Sequence, residues 1–346
     1  MKKLLKQILS IQKLFVSLQS NSVLQASLQC SNRRTVLFSD TMNDLDSVQK
    51  QPFQKEIKLP SEQIGNLKNR GLIITDEEKA IDYLSNIGYF RLSAYFYPLL
   101  AEPKSDHIFK SDSNFETALN MYKFDRKLRV MIFNEIEKIE VAFRAHVTDI
   151  ISREFNDIFW ITNPQYFDNK ERFKQTLKRI NNEVEKSSEE FVTHFKNKYT
   201  DPYPPAWIIV EVLPLGTLCK IFTNLKDHAV RKKVAQRFGI QQEVFHSWIL
   251  TIAGLRNMCC HHSRIWNKKL NIHPIVPKKT RFSFVENTSD LGRIYCRLCI
   301  VKYLISSIAP NNKFTSKLKG LLKHYSNIDI NAMGFPTDWE RESLWQ

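Results

Sequence analysis

FDRKLRVMIFNEIEKIEVAFRAH, Phe124 to His146, contains neither glycine nor proline and sets Leu128, Ile132, Ile136, Ile139 and Phe143 at helical spacing. At about 100° per residue these side chains form one apolar stripe, with Asp125, Glu135 and Lys138 elsewhere, as expected of a bundle helix. The helix extends outward to about Asn114 on one side and Arg153 on the other. Upstream, Ser61 opens a helix through Leu67 that Gly71 closes, and Thr75 caps TDEEKAIDYLSNIG, which ends at Gly88. YFRLSAYFYPLL then reads as a buried helix stopped by Pro98, whose Arg91 must find a partner or reach solvent. Residues 102–114 read as a polar loop.

Downstream, a polar helix is expected from Lys170 to Lys198, followed by an extended connection through DPYPP, Asp201 to Pro205. WIIVEVLPLGTLCKIFTNL reads as helical on either side of Pro214 and Gly216, although Trp207 to Leu213 has the propensity of a strand. Further helices are expected over Gln242 to Asn267, Leu291 to Ser307 and Phe314 to His324, ahead of an aromatic tail. The chain is therefore expected to be all-α. Its expected organisation is a poorly specified leader at 1–50, an N-terminal helical subdomain at 51–113, a helical bundle at 114–310 and a C-terminal helix and tail at 311–346.

Composition supports this picture. The 9 glycines and 13 prolines in 346 residues form no repeat or low-complexity tract, which argues against disorder and solenoids. The 51 basic against 36 acidic side chains give a net charge of +15, compatible with a polyanionic partner or with a solvated basic surface. No run reaches the ~18 to 20 apolar residues of a membrane-spanning helix. Cys30, Cys219, Cys259, Cys260, Cys296 and Cys299 lack the spacing of a secreted disulfide framework, so a soluble, cytoplasmic protein is expected. MKKLLKQILSIQKLFVSLQS, residues 1–20, has the pattern of a basic amphipathic helix; Lys6 and Lys13 interrupt its apolar run, which favours an ordinary helix or an upstream extension over a targeting signal.

The segment with most chemistry is LTIAGLRNMCCHHSRIWN, Leu250 to Asn267. On one continuous helix, Leu255, Met258, Cys259, His262, Ile265 and Trp266 would share a core face, with Asn257, His261 and Arg264 opposite and Arg256 and Cys260 at the edge. Such a cluster suits an anion. Arginine can grip two phosphate oxygens, and histidine, which titrates nearest neutrality, can move the proton of a ribose hydroxyl. Arg256 and His261 are the candidate catalytic pair, with Asn257, His262 and Arg264 in support. His262, which shares the core face, also reads as a packed core histidine, and a pairing of Arg256 with His262 stays open. Arg256 and His261 project about 140° apart on a straight helix, a divergence that a second copy about a twofold axis would relieve. CCHH cannot converge on one zinc ion from a helix, and Cys296 and Cys299 read as buried thiols. Neither metal nor cofactor is expected.

LRNMCCHHSRIWN resembles the signature of the Abi family of bacterial phage-defence proteins, of the AbiD and AbiF type. The likeness extends through RGLIITDEEKAIDYLSNIGYFRLSAYFYPLL, FDRKLRVMIFNEIEKIEVAFRAH, HFKNKY and PPAWIIVEVLPLGTLCKIFTNL, in the family's order, from about Leu59 to Ile305. It implies a HEPN-like multi-helix bundle with an added N-terminal helical subdomain. It further implies a metal-independent endoribonuclease site in which Arg256 and His261 match RxxxxH and Asn257 the polar residue after the arginine, commonly completed across a homodimer. Glu137, Glu140, Arg144, Tyr89 and Arg91 fall in matching blocks, where ion pairs between helices are the simpler reading of the acids. Cys260, and Ala94 near the family's usual glycine, depart from the pattern. The implied function is a cytoplasmic RNA-cleaving toxin of abortive infection, leaving a cyclic phosphate and a 5′-hydroxyl. The alternatives are a non-catalytic module that binds a structured small RNA, as in toxin–antitoxin pairs, and a protein-interaction component.

Overall fold

The computed structural model describes residues 52–286 and 290–346. The amphipathic reading of residues 1–20 and Cys30 lie outside them. Twelve α-helices and no strand occur among the described residues, so the protein is all-α. In order these are α1 (Pro60–Asn69), α2 (Glu77–Ile87), α3 (Tyr89–Phe96), α4 (Phe115–Phe155), α5 (Lys170–Lys186) and α6 (Glu190–Lys198). There follow α7 (Ala206–Val212), α8 (Leu215–Thr223), α9 (His228–Arg237), α10 (Gln242–Cys260), α11 (Ile294–Ile308) and α12 (Phe314–His324).

Helix α4 is the axis on which α3, α7, α9, α10, α11 and α12 pack. Its 41 residues, about 60 Å of helix, begin where the Asn114 side chain accepts a hydrogen bond from Thr117 N at 2.8 Å. They end at Asn156, whose φ of 47° closes the last turn in the left-handed region. Leu128, Ile132, Ile136, Ile139, Phe143, Val147 and Ile151 are all fully buried, each contributing about 1.5–3 kcal/mol relative to exposure. The apolar stripe thus forms the centre of the core.

Two acids read as off the stripe are also buried: Asp125 is 0% and Glu135 1% exposed. A helix's own periodicity omits what its neighbours cover, and here α3, α12 and the chain after α10 close over its flanks. Glu135 lies between Lys138 Nζ at 2.8 Å and Lys317 Nζ of α12 at 3.2 Å, with Asn134 Nδ2 at 2.9 Å. Burial alone would raise its carboxyl, but these three partners outweigh burial and hold it below the ordinary value of 4.5. A depressed carboxyl adds stability above the unfolded value that is lost as pH falls through the folded one. The urea midpoint of the wild type should therefore fall more between pH 6 and pH 3.5 than that of Glu135→Gln; equal losses would contradict this account.

The expected helix from Lys170 to Lys198 is two helices. Ser187 is extended, with φ −70° and ψ 128°, and its hydroxyl accepts from Glu189 N at 3.3 Å, the local bond by which serine competes with a helical turn. Trp207 to Leu213, read as helical despite its strand propensity, lies in α7 and its C-cap. None of the described helices is long and apolar enough to cross a membrane.

Candidate functional site

The site is built at the C-terminal end of α10, and the helix ends earlier than its sequence pattern predicts. It stops at Cys260, with His261 as C-cap at φ −86° and ψ 10°, where a continuous helix to Asn267 was expected. His262 is left-handed at φ 55°, its N–H donates to Cys259 O at 3.1 Å, and Ser263 N donates to Met258 O at 2.9 Å. This paired closure normally places glycine where His262 stands. His262 is therefore exposed rather than packed in the core, and Arg264, Ile265 and Trp266 leave the helix. Asn257 and His261 are exposed, as their spacing predicts. Left-handed backbone costs a non-glycine residue about 1–2 kcal/mol, so His262→Gly should raise stability by up to about 1 kcal/mol after the glycine's greater unfolded-state entropy is counted. Chemical denaturation checks this, and a destabilised His262→Gly protein would mean that the histidine ring has a structural contact of its own.

What turns the chain off α10 is a buried polar clasp on α4. Asp125 accepts from Trp266 N at 2.8 Å, Ile265 N at 3.3 Å, Tyr95 Oη at 2.6 Å and Arg129 Nη1. Arg129 Nη1 also donates to Ser263 O at 3.2 Å. Burial pushes the Asp125 carboxyl up, against the pull of Arg129, Tyr95 and the two backbone amides. Ile265 and Trp266 are pinned in the core at 0% and 2% exposure, so they are buried as expected but by a loop.

Two arginines complete the clasp. Arg91 Nη1 donates to His262 O at 2.7 Å while the residue stays exposed, so it both finds a partner and reaches solvent. Arg264 Nη1 donates to Ala94 O at 2.7 Å. In an uninterrupted α3 that carbonyl would accept from residue 98, but Pro98 has no N–H, and Arg264 takes the vacant acceptor. Arg264 is thus a brace between α3 and the turn.

The same logic positions Arg256. Val210 O of α7 would accept from residue 214, which is Pro214; Arg144 Nη1 of α4 donates to it instead, and Arg144 Nη2 donates to Leu213 O at 2.9 Å and to Glu140. Glu140, so fixed, places Oε2 3.5 Å from Arg256 Nε. That pair is ionic without hydrogen-bond geometry, and the buried Nε–H of Arg256 has no acceptor. Arg256 remains 33% exposed against 13% for Glu140, so the inner edge of its guanidinium is held while the rest faces solvent. Glu140, read from the sequence as a partner in an ion pair between helices, is therefore next to the candidate arginine. Among the described residues no hydrogen bond or ion pair joins Arg256 to His261, Asn257 or Arg264.

Burial disfavours the thiolate at four cysteines. Burial raises Cys259 to about 12 and Cys296 to about 11, and pushes Cys219 and Cys299 up as well. These four and Cys260 are free. Among the described residues no group of three or more His, Cys, Asp or Glu side chains could hold a metal ion.

Fold and site together define an all-α protein with an arginine–carboxylate centre at the capped end of one helix. The sequence pattern of Abi-like proteins matches residues 82–267, from α2 to the loop beyond the clasp, and the chain belongs to that family. Membership points to abortive infection, a form of phage defence. No curated protein and no solved structure matches the chain.

Proposed function

We propose that this protein is a metal-independent RNA endonuclease of the HEPN type, of the AbiD and AbiF kind, acting as a toxin in abortive infection with Arg256 and His261 as its reacting groups. The observation that carries the proposal is Arg256 itself: a permanently charged side chain, fixed on one edge by Glu140 and open on the other, at the end of a helix that also exposes His261. His261 would take the proton of the 2′-hydroxyl as that oxygen attacks the phosphorus, or return one to the departing 5′-oxygen, leaving a cyclic phosphate and a 5′-hydroxyl. Arg256 would stabilise the charge of the pentacoordinate transition state. His261 continues the α10 spiral as its cap, so about 140° still separates it from Arg256, and a homodimer would bring the arginine of one subunit to the histidine of the other. Phe133 and Val141, 38% and 58% exposed on α4 beside Glu140, supply apolar surface for such a contact.

Incubation of the purified protein with total cellular RNA in excess EDTA, followed by cyclic-phosphate-dependent ligation and sequencing, tests the proposal. Discrete new ends support it. Tight RNA binding without new ends would favour the alternative of a non-catalytic RNA-binding module, which the +15 charge also accommodates.

A further inference from the structure

Outside the α10 site, one surface has a charge and shape that its packing does not use. A groove of about 540 Å³ lies between α4 and α12. Arg126, Lys127 and Lys317 line it with cations beside the imidazole of His324, and Val130, Met131 and Leu321 give it apolar surface. Val130 is 62% exposed, an unusual position for a valine on a helix so well buried elsewhere. No aspartate or glutamate lines the groove. The carboxylate behind it, Glu135, is 1% exposed and already shared by Lys138 and Lys317, so it neutralises neither Arg126 nor Lys127. Lys127 is anchored with its ammonium 5.3 Å from the centroid of the Tyr325 ring.

Helix α12 lies beyond residues 82–267, so half of the groove is contributed from outside the stretch that matches the family. We propose that the α4/α12 groove binds single-stranded RNA; the choice of RNA as the polyanion rests on the function proposed above. Charge complementarity calls for an anion, and the apolar lining calls for one with exposed flat apolar faces. An unpaired strand offers both, with phosphates to the cations and bases to Val130, Met131 and Leu321. A duplex has its bases already stacked and presents only phosphate, and packed helices with axes roughly 10 Å apart leave a furrow too narrow for it. The groove shares α4 with Glu140. Asn134 and Glu140 lie about 9 Å apart along that helix and about 120° apart around it, so the groove is a separate site on a different face of α4.

Gly320 permits a clean test. It lines the groove, and a Cβ added there meets no atom within 4 Å. Glutamate is also the better helix former, so Gly320→Glu places a carboxylate among the cations without cost to α12. Fluorescence anisotropy of a labelled 20-nucleotide oligouridylate, measured in EDTA with every protein in the His261→Ala background to keep the RNA intact, reads the affinity. Gly320→Glu is expected to weaken binding about tenfold or more, Gly320→Gln to stay within about twofold, and a duplex of equal length to bind more weakly than the single strand. Unchanged affinity in Gly320→Glu, or a duplex bound as tightly as the single strand, overturns the proposal. Failure of RNA to bind while an acidic amphipathic peptide binds and is lost in Gly320→Glu does so too, and assigns the groove to a protein partner. The two proposals separate: wild type that leaves cellular RNA uncut while Gly320→Glu still loses the oligonucleotide removes the nuclease and keeps the groove. Cleavage with Gly320→Glu affinity unchanged removes the groove and keeps the nuclease.

Discussion

His261→Ala is expected to slow RNA cleavage in EDTA by about 10²–10⁴-fold, the usual contribution of a positioned acid or base, and Arg256→Ala by about 10²–10³-fold through lost charge stabilisation. Both proteins should stay folded, because His261 is exposed and Arg256, among the described residues, has a single ion pair, to Glu140, without hydrogen-bond geometry. Mixing the two inactive variants then tests the composite site. If each centre takes its arginine from one subunit and its histidine from the other, an equal mixture that exchanges subunits regains about a quarter of wild-type activity, since half the dimers carry one intact centre of two. A site contained within one chain regains nothing. Wild-type rates in both single variants would remove Arg256 and His261 from the chemistry. The His262→Gly protein serves as the companion control, retaining activity if His261 is the histidine that reacts and losing it if His262 is.

Asp125→Ala is expected to be the most destabilising single change on α4, by about 3–5 kcal/mol, the range for leaving one member of a buried ion pair uncompensated. Arg129, 4% exposed, would lose its carboxylate, and Tyr95 Oη and the N–H groups of Ile265 and Trp266 would lose their acceptor. In a domain of this size that corresponds to a fall in Tm of roughly 10 °C, read by calorimetry. Asp125→Leu combined with Arg129→Met should recover part of the loss, because no buried charge is then left alone. An Asp125→Ala protein melting within about 2 °C of wild type would show that the clasp does not hold the turn. The clasp also sets His262 and Ser263 in place behind His261, so the variant should lower cleavage more than its melting temperature alone accounts for.

The two prolines are the clearest case of information present in the sequence but not readable from it alone. Pro98 and Pro214 announce that Ala94 and Val210 lose their helical donors, and that some group must replace them. Nothing in the order of residues says that the replacements are Arg264 and Arg144, which lie 170 and 66 positions away. Asp125 with Arg129 and Glu140 with Arg144 stand at the i,i+4 spacing of ordinary ion pairs along α4. Their burial, and their contacts with the α10 turn and Arg256, depend on segments far away in the chain.

The sequence by itself determined the helical class, the breaks at Pro98 and Pro214, the core stripe of α4 and the segment that carries Arg256 and His261. Each follows from local rules: backbone sterics, a 3.6-residue period and the missing proline N–H. Only the tertiary structure decided that α10 stops at Cys260, that His262 turns outward and that Arg256 rests against Glu140. The propensity of Leu250 to Asn267 favours continued helix; the stop is imposed by Asp125, Arg129 and Arg91, whose bonds to residues 262–266 outweigh the few helical bonds that continuation would add.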